Sequence, residues 1–179
     1  MQDLDTILIT IYDQNKDWLK HGEAKNTGLI GFNFAIAGGL AALTTQPDIY
    51  PGIRWYLIGV IVLLVCAAGL GMLSMVPILK QRRNNALQNE NSSVIYFSDI
   101  ANNFPSSKDY LEKLLQYTGA STGQFTDYQV DIATQILQLA AITRHKHNIF
   151  AIAMWISITA VCSPVISLPL ILVRTIAPR

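Results

Sequence analysis

The sequence predicts an all-α membrane protein: three transmembrane helices, a helical cytosolic insert between the second and third, and a last cytosolic helix continuous with the third span. Three observations predict it. The runs Asn26–Pro47, Trp55–Leu79 and Asn148–Val173 contain no Asp, Glu, Lys, Arg or His. A spanning helix needs about 20 apolar residues, because the hydrocarbon core is roughly 30 Å thick and a helix rises about 1.5 Å per residue. Residues 80–147, between the second and third runs, form a polar block. The helical pattern that starts at Gln124 meets no Gly or Pro before Pro164, well inside the third run.

Orientation follows from the basic residues. With the first span running outward, the inside carries Lys16, Lys20, Lys25, Lys80, Arg82, Arg83, Lys108, Lys113, Arg144 and Lys146. The outside carries Arg54, Arg174 and Arg179, which makes ten against three of the 13 basic residues. Basic residues near span ends favour the cytoplasmic side, and amphipathic aromatics such as Tyr50, Trp55 and Tyr56 favour an interface. The expected layout is a cytosolic amphipathic helix (1–25), a two-span hairpin (26–79), a cytosolic helical sensor module (80–147), a third span (148–174) and a short external tail (175–179).

Composition sets limits. The formal net charge of +1 gives no global field toward nucleic acid. Cys66 and Cys162 fall within spans and fit neither a disulfide framework nor a zinc site, so each reads as a small buried apolar residue. Met1–Thr10 is acidic and does not read as a signal peptide. The N-terminal segment and the polar block together are a marginal length for an independent core, which homo-oligomerisation would relieve.

The elements follow in order. Leu4, Ile7, Leu8, Ile11, Trp18 and Leu19 lie at helical spacing among Asp3, Asp5, Asp13, Lys16 and Asp17. That is an amphipathic helix leading to the first span, and its acidic polar face favours packing on the cytosolic module over a lipid surface. In the first span small residues recur four apart: Gly31 and Ala35, Ala35 and Gly39, Gly38 and Ala42. Ala67 and Gly71 repeat the spacing in the second. Small faces let helices approach closely in lipid, either within the hairpin or between copies. Asn33 is a polar side chain deep in the first span, so it should bond another helix or line a water-filled path.

Arg82–Ser93 is polar and reads as a short continuation of the second helix. Val94–Phe97 is strand or helix, since four residues do not fix a period. Ser106 and Asp109 form a capping box that opens a helix through Leu111, Leu114 and Leu115, with a stop at Gly119. Ala120–Gly123 reads as a loop. The helix from Gln124 carries Tyr128, Ile132, Ile136, Leu139 and Ala140 and should enter the third span as one element of about 40 residues, roughly 60 Å long.

No nucleotide-binding glycine loop, CxxC, HExxH or GxSxG is present, so enzymatic activity has no constellation to stand on. His145 and His147 are two apart, do not share a helix face, and flank Lys146 beside Arg144. RHKH reads as a basic interface anchor, and no metal is expected.

A resemblance reaches further. Ala24-Lys25-Asn26 followed by Leu29, Ile30 and Asn33 opens the first span. Val94-Ile95-Tyr96-Phe97-Ser98-Asp99-Ile100 follows the hairpin, then Tyr110-Leu111. Gln135-Ile136, Leu139-Ala140, Ile142 and Lys146 precede the third span. This order, from Ala24 onward, resembles the Pycsar transmembrane effector family. It departs at the opening, where the Asp of the family's AD-K pattern is replaced and Glu23 stands before Ala24. The resemblance implies a bacterial antiphage effector of the inner membrane. A partner nucleotide cyclase would make a cyclic pyrimidine mononucleotide, cUMP or cCMP, and the effector would sense it and impair the membrane, arresting growth or aborting infection. No cofactor is implied beyond that ligand.

A pocket for such a ligand needs a cation or oriented N–H donors for one phosphate, an aromatic or apolar wall for the base, and amides for its edge. Arg82, Arg83, Arg144 and Lys146 are the candidate cations. Tyr96 and Tyr110, with Phe97, Tyr117 and Tyr128, offer stacking. Asn102 and Gln135, with Asn103 and Gln129, offer edge contacts. For each basic residue the ordinary alternative is interface anchoring, and for each tyrosine core packing. The competing functional class is a membrane-anchored structural or interaction protein whose cytosolic block docks another protein. An adjacent cyclase gene favours the effector, and an adjacent secretion or division operon favours the anchor.

Overall fold

The computed structural model describes residues 3–76, 93–119 and 124–176, with side chains as far as Pro164. Five helices follow one another: α1 (Leu4–Thr44), α2 (Pro51–Met75), α3 (Phe97–Asn103), α4 (Ser107–Thr118) and α5 (Asp127–Ile176). No strand occurs among the described residues. α1, α2 and α5 are each long and apolar enough to cross a membrane.

The amphipathic segment and the first span are one helix of 41 residues, not two elements. The stretch His21–Asn26 holds a single glycine and no proline. One internal glycine costs only about 1 kcal/mol of helix stability relative to alanine, too little to end a helix this long. α5 is longer than expected, at 50 residues. It passes Pro164, where the sequence pattern invited a stop. Proline removes a backbone donor, but long apolar helices tolerate the loss where neighbours re-satisfy the backbone. Residues 82–92 of the polar stretch and the loop residues 120–123 lie outside the described residues.

The chain divides into two compact units, Met1–Glu23 with Pro77–His147, and Ala24–Val76 with Asn148–Arg179. In the first, Leu8 and Ile11 of α1, Phe97 and Ile100 of α3, Tyr110, Leu111 and Leu114 of α4, and Ala133, Ile136 and Ala140 of α5 make one core. Val94 joins it while Ile95 and Tyr96 stay exposed, so the run left open between strand and helix is the lead-in to α3. The Ser93 hydroxyl accepts from the amides of Ile95 and Tyr96, both at 3.2 Å, which folds that lead-in. α4 opens as its capping box requires, with the Asp109 amide donating to Ser106 Oγ at 3.2 Å. It closes at Gly119, whose φ of 66° is left-handed and suits glycine. At α4 the Asp109 carboxylate accepts from the Ser106 hydroxyl and not from its amide, whereas α5 opens on a reciprocal cap. The Gln129 amide donates to Thr126 Oγ1 at 3.3 Å, and the Thr126 amide donates to Gln129 Oε1 at 3.1 Å.

Tyr110 is the keystone of this core. It is fully buried, and its hydroxyl donates to the Val94 carbonyl at 2.9 Å. Tyr110→Phe should cost about 1 kcal/mol, the net worth of one such bond, read as a shift in the detergent-solubilised melting curve. Burial pushes the phenol's pKa up. Its contribution is therefore intact below about pH 10, the unfolded phenol's range, and is lost as pH rises beyond it. The alkaline fall in stability should be shallower in Tyr110→Phe than in the parent.

The second unit packs α2 against the later part of α1 and the start of the third apolar run of α5. Asn26 Nδ2 donates to the Gly71 carbonyl at 2.8 Å, and Asn33 Nδ2 donates to Ser157 Oγ at 2.9 Å. Asn33 thus bonds another helix. Ala37, Val60, Leu64 and Ala160 form a buried apolar cluster. Arg54 donates to the Gln46 carbonyl at 3.0 Å across the α1–α2 turn. The small-residue faces behave differently from one another. Ala67 and Gly71 are buried, and a Cβ on Gly71 would meet Ile30 Cγ1 at 2.8 Å. Gly31, Gly38 and Gly39 have open space around them, and Ala35 and Ala42 are exposed. The hairpin uses the Asn26–Leu29–Asn33–Ala37 face of α1 instead. The cysteines also depart from expectation: Cys66 and Cys162 are exposed in the isolated chain. On a helix in lipid an outward thiol meets hydrocarbon, so it needs no protein neighbour to be apolar.

Candidate ligand-binding site

Helical spacing brings one stripe of α1 inward in the first unit: Leu8, Ile11 and Asn15 are buried, and Trp18 follows one turn later. The α3 lead-in then places Tyr96 and Phe97 against Trp18. Ring centroids are 6.2 Å apart for Trp18–Tyr96, 5.6 Å for Trp18–Phe97 and 4.8 Å for Tyr96–Phe97. From α5, His147 meets the other edge of Phe97 at 6.2 Å. Phe97 is the buried floor, while Trp18 at 53 % and Tyr96 at 45 % exposure present open faces. The result is an aromatic shelf built by three helices.

Two cations on α5 hold the same helices, α3 and α1. Arg144 donates to Asn102 Oδ1, which joins α5 to α3. Lys146 pairs with Glu23 of α1. The Lys146 side chain is 14 % exposed and that of Glu23 is 46 % exposed, so this is a half-sheltered ion pair rather than a free surface one. Each group can exchange its protein partner for an anionic ligand only by breaking that contact. Below Trp18, the Asn15 side chain is fully buried. Its Nδ2 donates to the Ile11 carbonyl at 2.9 Å, and its Oδ1 has no hydrogen-bond partner.

The family comparison covers nearly the whole chain: the model of the Pycsar effector protein domain matches residues 7–173. This chain is a member of the Pycsar effector family. No curated protein and no solved structure matches it. As a Pycsar effector it belongs among antiphage effectors, in a family not known as enzymes. The match takes in residues of both units, so the aromatic shelf and the apolar helices lie within a single family domain.

The residues singled out in the effector's sequence fall in different places. Tyr96, Asn102, Arg144 and Lys146 gather at the α1–α3–α5 end of the first unit. Tyr110 has no exposed face, being in the core. Gln135 is exposed, nine residues before Arg144 on α5. Nine residues are about two and a half turns, so it stands on the opposite face of that helix. Gln129 is engaged in the α5 cap and also donates to Asp5 Oδ1 at 2.8 Å. Tyr117 and Tyr128 are exposed. Arg82 and Arg83 lie outside the described residues.

Sequence reasoning missed Trp18, Glu23 and His147 as parts of this site. Trp18 carried a signal: it lies at helical spacing from Leu8 and Ile11 but is an aromatic beyond the run of aliphatic residues.

Proposed function

We propose that this effector senses a cyclic pyrimidine mononucleotide, cUMP or cCMP, at the aromatic shelf and responds by impairing the bacterial inner membrane. The observation that carries the reading is the half-exposed Trp18–Tyr96 face, with Arg144 and Lys146 holding the same helices. The base stacks on the tryptophan and tyrosine, worth about 1–3 kcal/mol per base on such a platform. The phosphate draws Arg144 from Asn102 or Lys146 from Glu23. For Arg144 the exchange replaces a bond charged on the donor side alone with one charged on both sides, which is the stronger kind. The freed Asn102 reads the base edge. A ligand acts as a switch only by favouring one arrangement over another, and exchanging these interhelical contacts for ligand contacts supplies that difference.

The ten-to-three distribution of basic residues supports a cytosolic first unit, where a cyclase product accumulates. The exposed small-residue face of α1, with Gly31, Gly38 and Gly39 open, supports a homo-oligomer in the membrane. Calorimetry on the full chain in detergent tests the sensing step, with cUMP, cCMP, cAMP and cGMP in parallel. One pyrimidine nucleotide should bind well below millimolar, and Trp18→Ala should weaken it at least tenfold, about 1.4 kcal/mol. Binding of neither cUMP nor cCMP below about 1 mM, a free energy of only about −4 kcal/mol, would sink the reading.

A further inference from the structure

Polar groups form a ladder inside the second unit. Asn26 and Asn33 stand two turns apart on one face of α1, 3 % and 0 % exposed. Their amide nitrogens are committed to the Gly71 carbonyl and to Ser157 Oγ, at 2.8 and 2.9 Å. These partners also fix which way each amide faces. A carbonyl only accepts, and Ser157 donates its own proton to the Ala153 carbonyl at 2.8 Å, so both must meet the NH₂ end. Each Oδ1 is therefore the free end of its amide, buried and without a hydrogen bond, and that of Asn26 lies 3.1 Å from where a Cβ on Gly71 would stand. Farther along, the Tyr56 hydroxyl donates to Ser163 Oγ at 2.8 Å. Ser163 is six residues beyond Ser157 on α5, about 9 Å along the helix. The apolar cluster of Ala37, Val60, Leu64 and Ala160 belongs to this interval: Ala160 falls between the two serines and Ala37 one turn past Asn33. Leu64 is its largest member and is fully buried.

Two buried, unpaired acceptors on one side of an apolar plug, and a hydroxyl pair on the other, are more than a packed bundle needs. Bundle stability alone would be served by apolar residues at all these positions. We propose that the interior of this unit is a path for monovalent cations, held dry and shut by Leu64 and its neighbours. Asn26 and Asn33 supply oxygen ligands on one side of the plug, and the Tyr56–Ser163 pair supplies them on the other. A narrow apolar constriction blocks ions by excluding water, while uncharged oxygens replace part of a cation's hydration shell. The proposal deepens the reading that this effector impairs the membrane and rests on it.

The test reconstitutes the full chain in vesicles of phosphatidylethanolamine and phosphatidylglycerol at three to one. Leu64→Asn makes the plug wettable, and Leu63→Asn is its control on an exposed position. Leu64→Asn should raise potassium efflux at least tenfold with no nucleotide present, while Leu63→Asn stays at the parent's level. Adding Asn33→Asp to the Leu64→Asn chain should raise the potassium-to-chloride permeability ratio several-fold. An inserted Leu64→Asn chain no leakier than Leu63→Asn overturns the proposal. Should Leu64→Asn fail to insert, Asn33→Cys decides in a Cys66→Ala, Cys162→Ala background. A cationic, membrane-impermeant thiosulfonate should modify it at least tenfold faster than Phe34→Cys, and equal or slower labelling overturns the proposal. Neither constitutive arm needs nucleotide. A parent chain silent to cUMP and cCMP beside a leaky Leu64→Asn would sink the sensing reading and leave the path standing.

Discussion

Gly71→Leu should abolish growth arrest in cells that make the activating nucleotide and lower the melting temperature of the purified chain by several degrees. A Cβ at this position would stand 2.8 Å from Ile30 Cγ1 and 3.1 Å from Asn26 Oδ1. Leucine adds three further carbons to a buried site, and overpacking of this kind costs about 1–3 kcal/mol. The same displacement pulls Asn26 Nδ2 from the Gly71 carbonyl, leaving a buried donor unpaired at about 1–3 kcal/mol more. Gly39→Leu is the matched comparison, because nothing lies within 4 Å of its Cβ position. Its melting temperature as a monomer should stay at the parent's value. If Gly39→Leu loses activity or crosslinking in native membranes, the loss reports a contact between copies. A Gly71→Leu chain that melts and arrests growth like the parent would show that α1 and α2 do not pack through this face.

The hairpin and the capping signals were legible because each rests on short-range chemistry. Ser106 with Asp109 and Gly119 mark the ends of α4 from one side chain and one left-handed residue. Three uncharged runs mark the long helices through composition alone. The continuity of α1 was not legible, because the polarity change near Lys20 reads as a boundary while the backbone needs only the absence of a breaker. The candidate site was half legible. Tyr96 and Asn102 drew attention as polar or aromatic residues in a motif, whereas Trp18 read as one more member of the apolar stripe of a helix. Only the packing of α3 on α1 distinguishes a tryptophan half open beside Tyr96 from one closed in a core. The small-residue faces show the same limit. Ala67–Gly71 and Gly31–Ala35 have the same spacing, yet one faces a neighbouring helix and the other faces outward.

Inserting Gly-Gly between Thr143 and Arg144 should weaken nucleotide binding about tenfold and abolish membrane depolarisation even at saturating nucleotide. α5 is helical from Asp127 to Ile176, and the insertion point lies four residues before the boundary between the units, after His147. Each added glycine costs about 1 kcal/mol of helix stability relative to alanine, so the joint becomes the softest point of the helix. Where the helix persists, two residues turn the faces on either side by about 200° relative to one another. Trp18 and Tyr96 of the aromatic shelf lie on other helices and keep their geometry, which is why binding should survive. Arg144 and Lys146 lie beyond the insertion and move relative to Asn102 and Glu23, so the phosphate contact is lost, which accounts for the weaker binding. Insertion of Ala-Ala at the same point imposes the same rotation without the softening, so comparing the two separates a lost lever from a turned one. Equal loss in both assigns the effect to rotation, and partial activity in Ala-Ala alone assigns it to stiffness. Membrane levels of both chains must match the parent's for the comparison to count. If a well-expressed Gly-Gly chain still depolarises cells when cUMP or cCMP is made, α5 does not carry the signal. The response must then pass through the segment that follows α2.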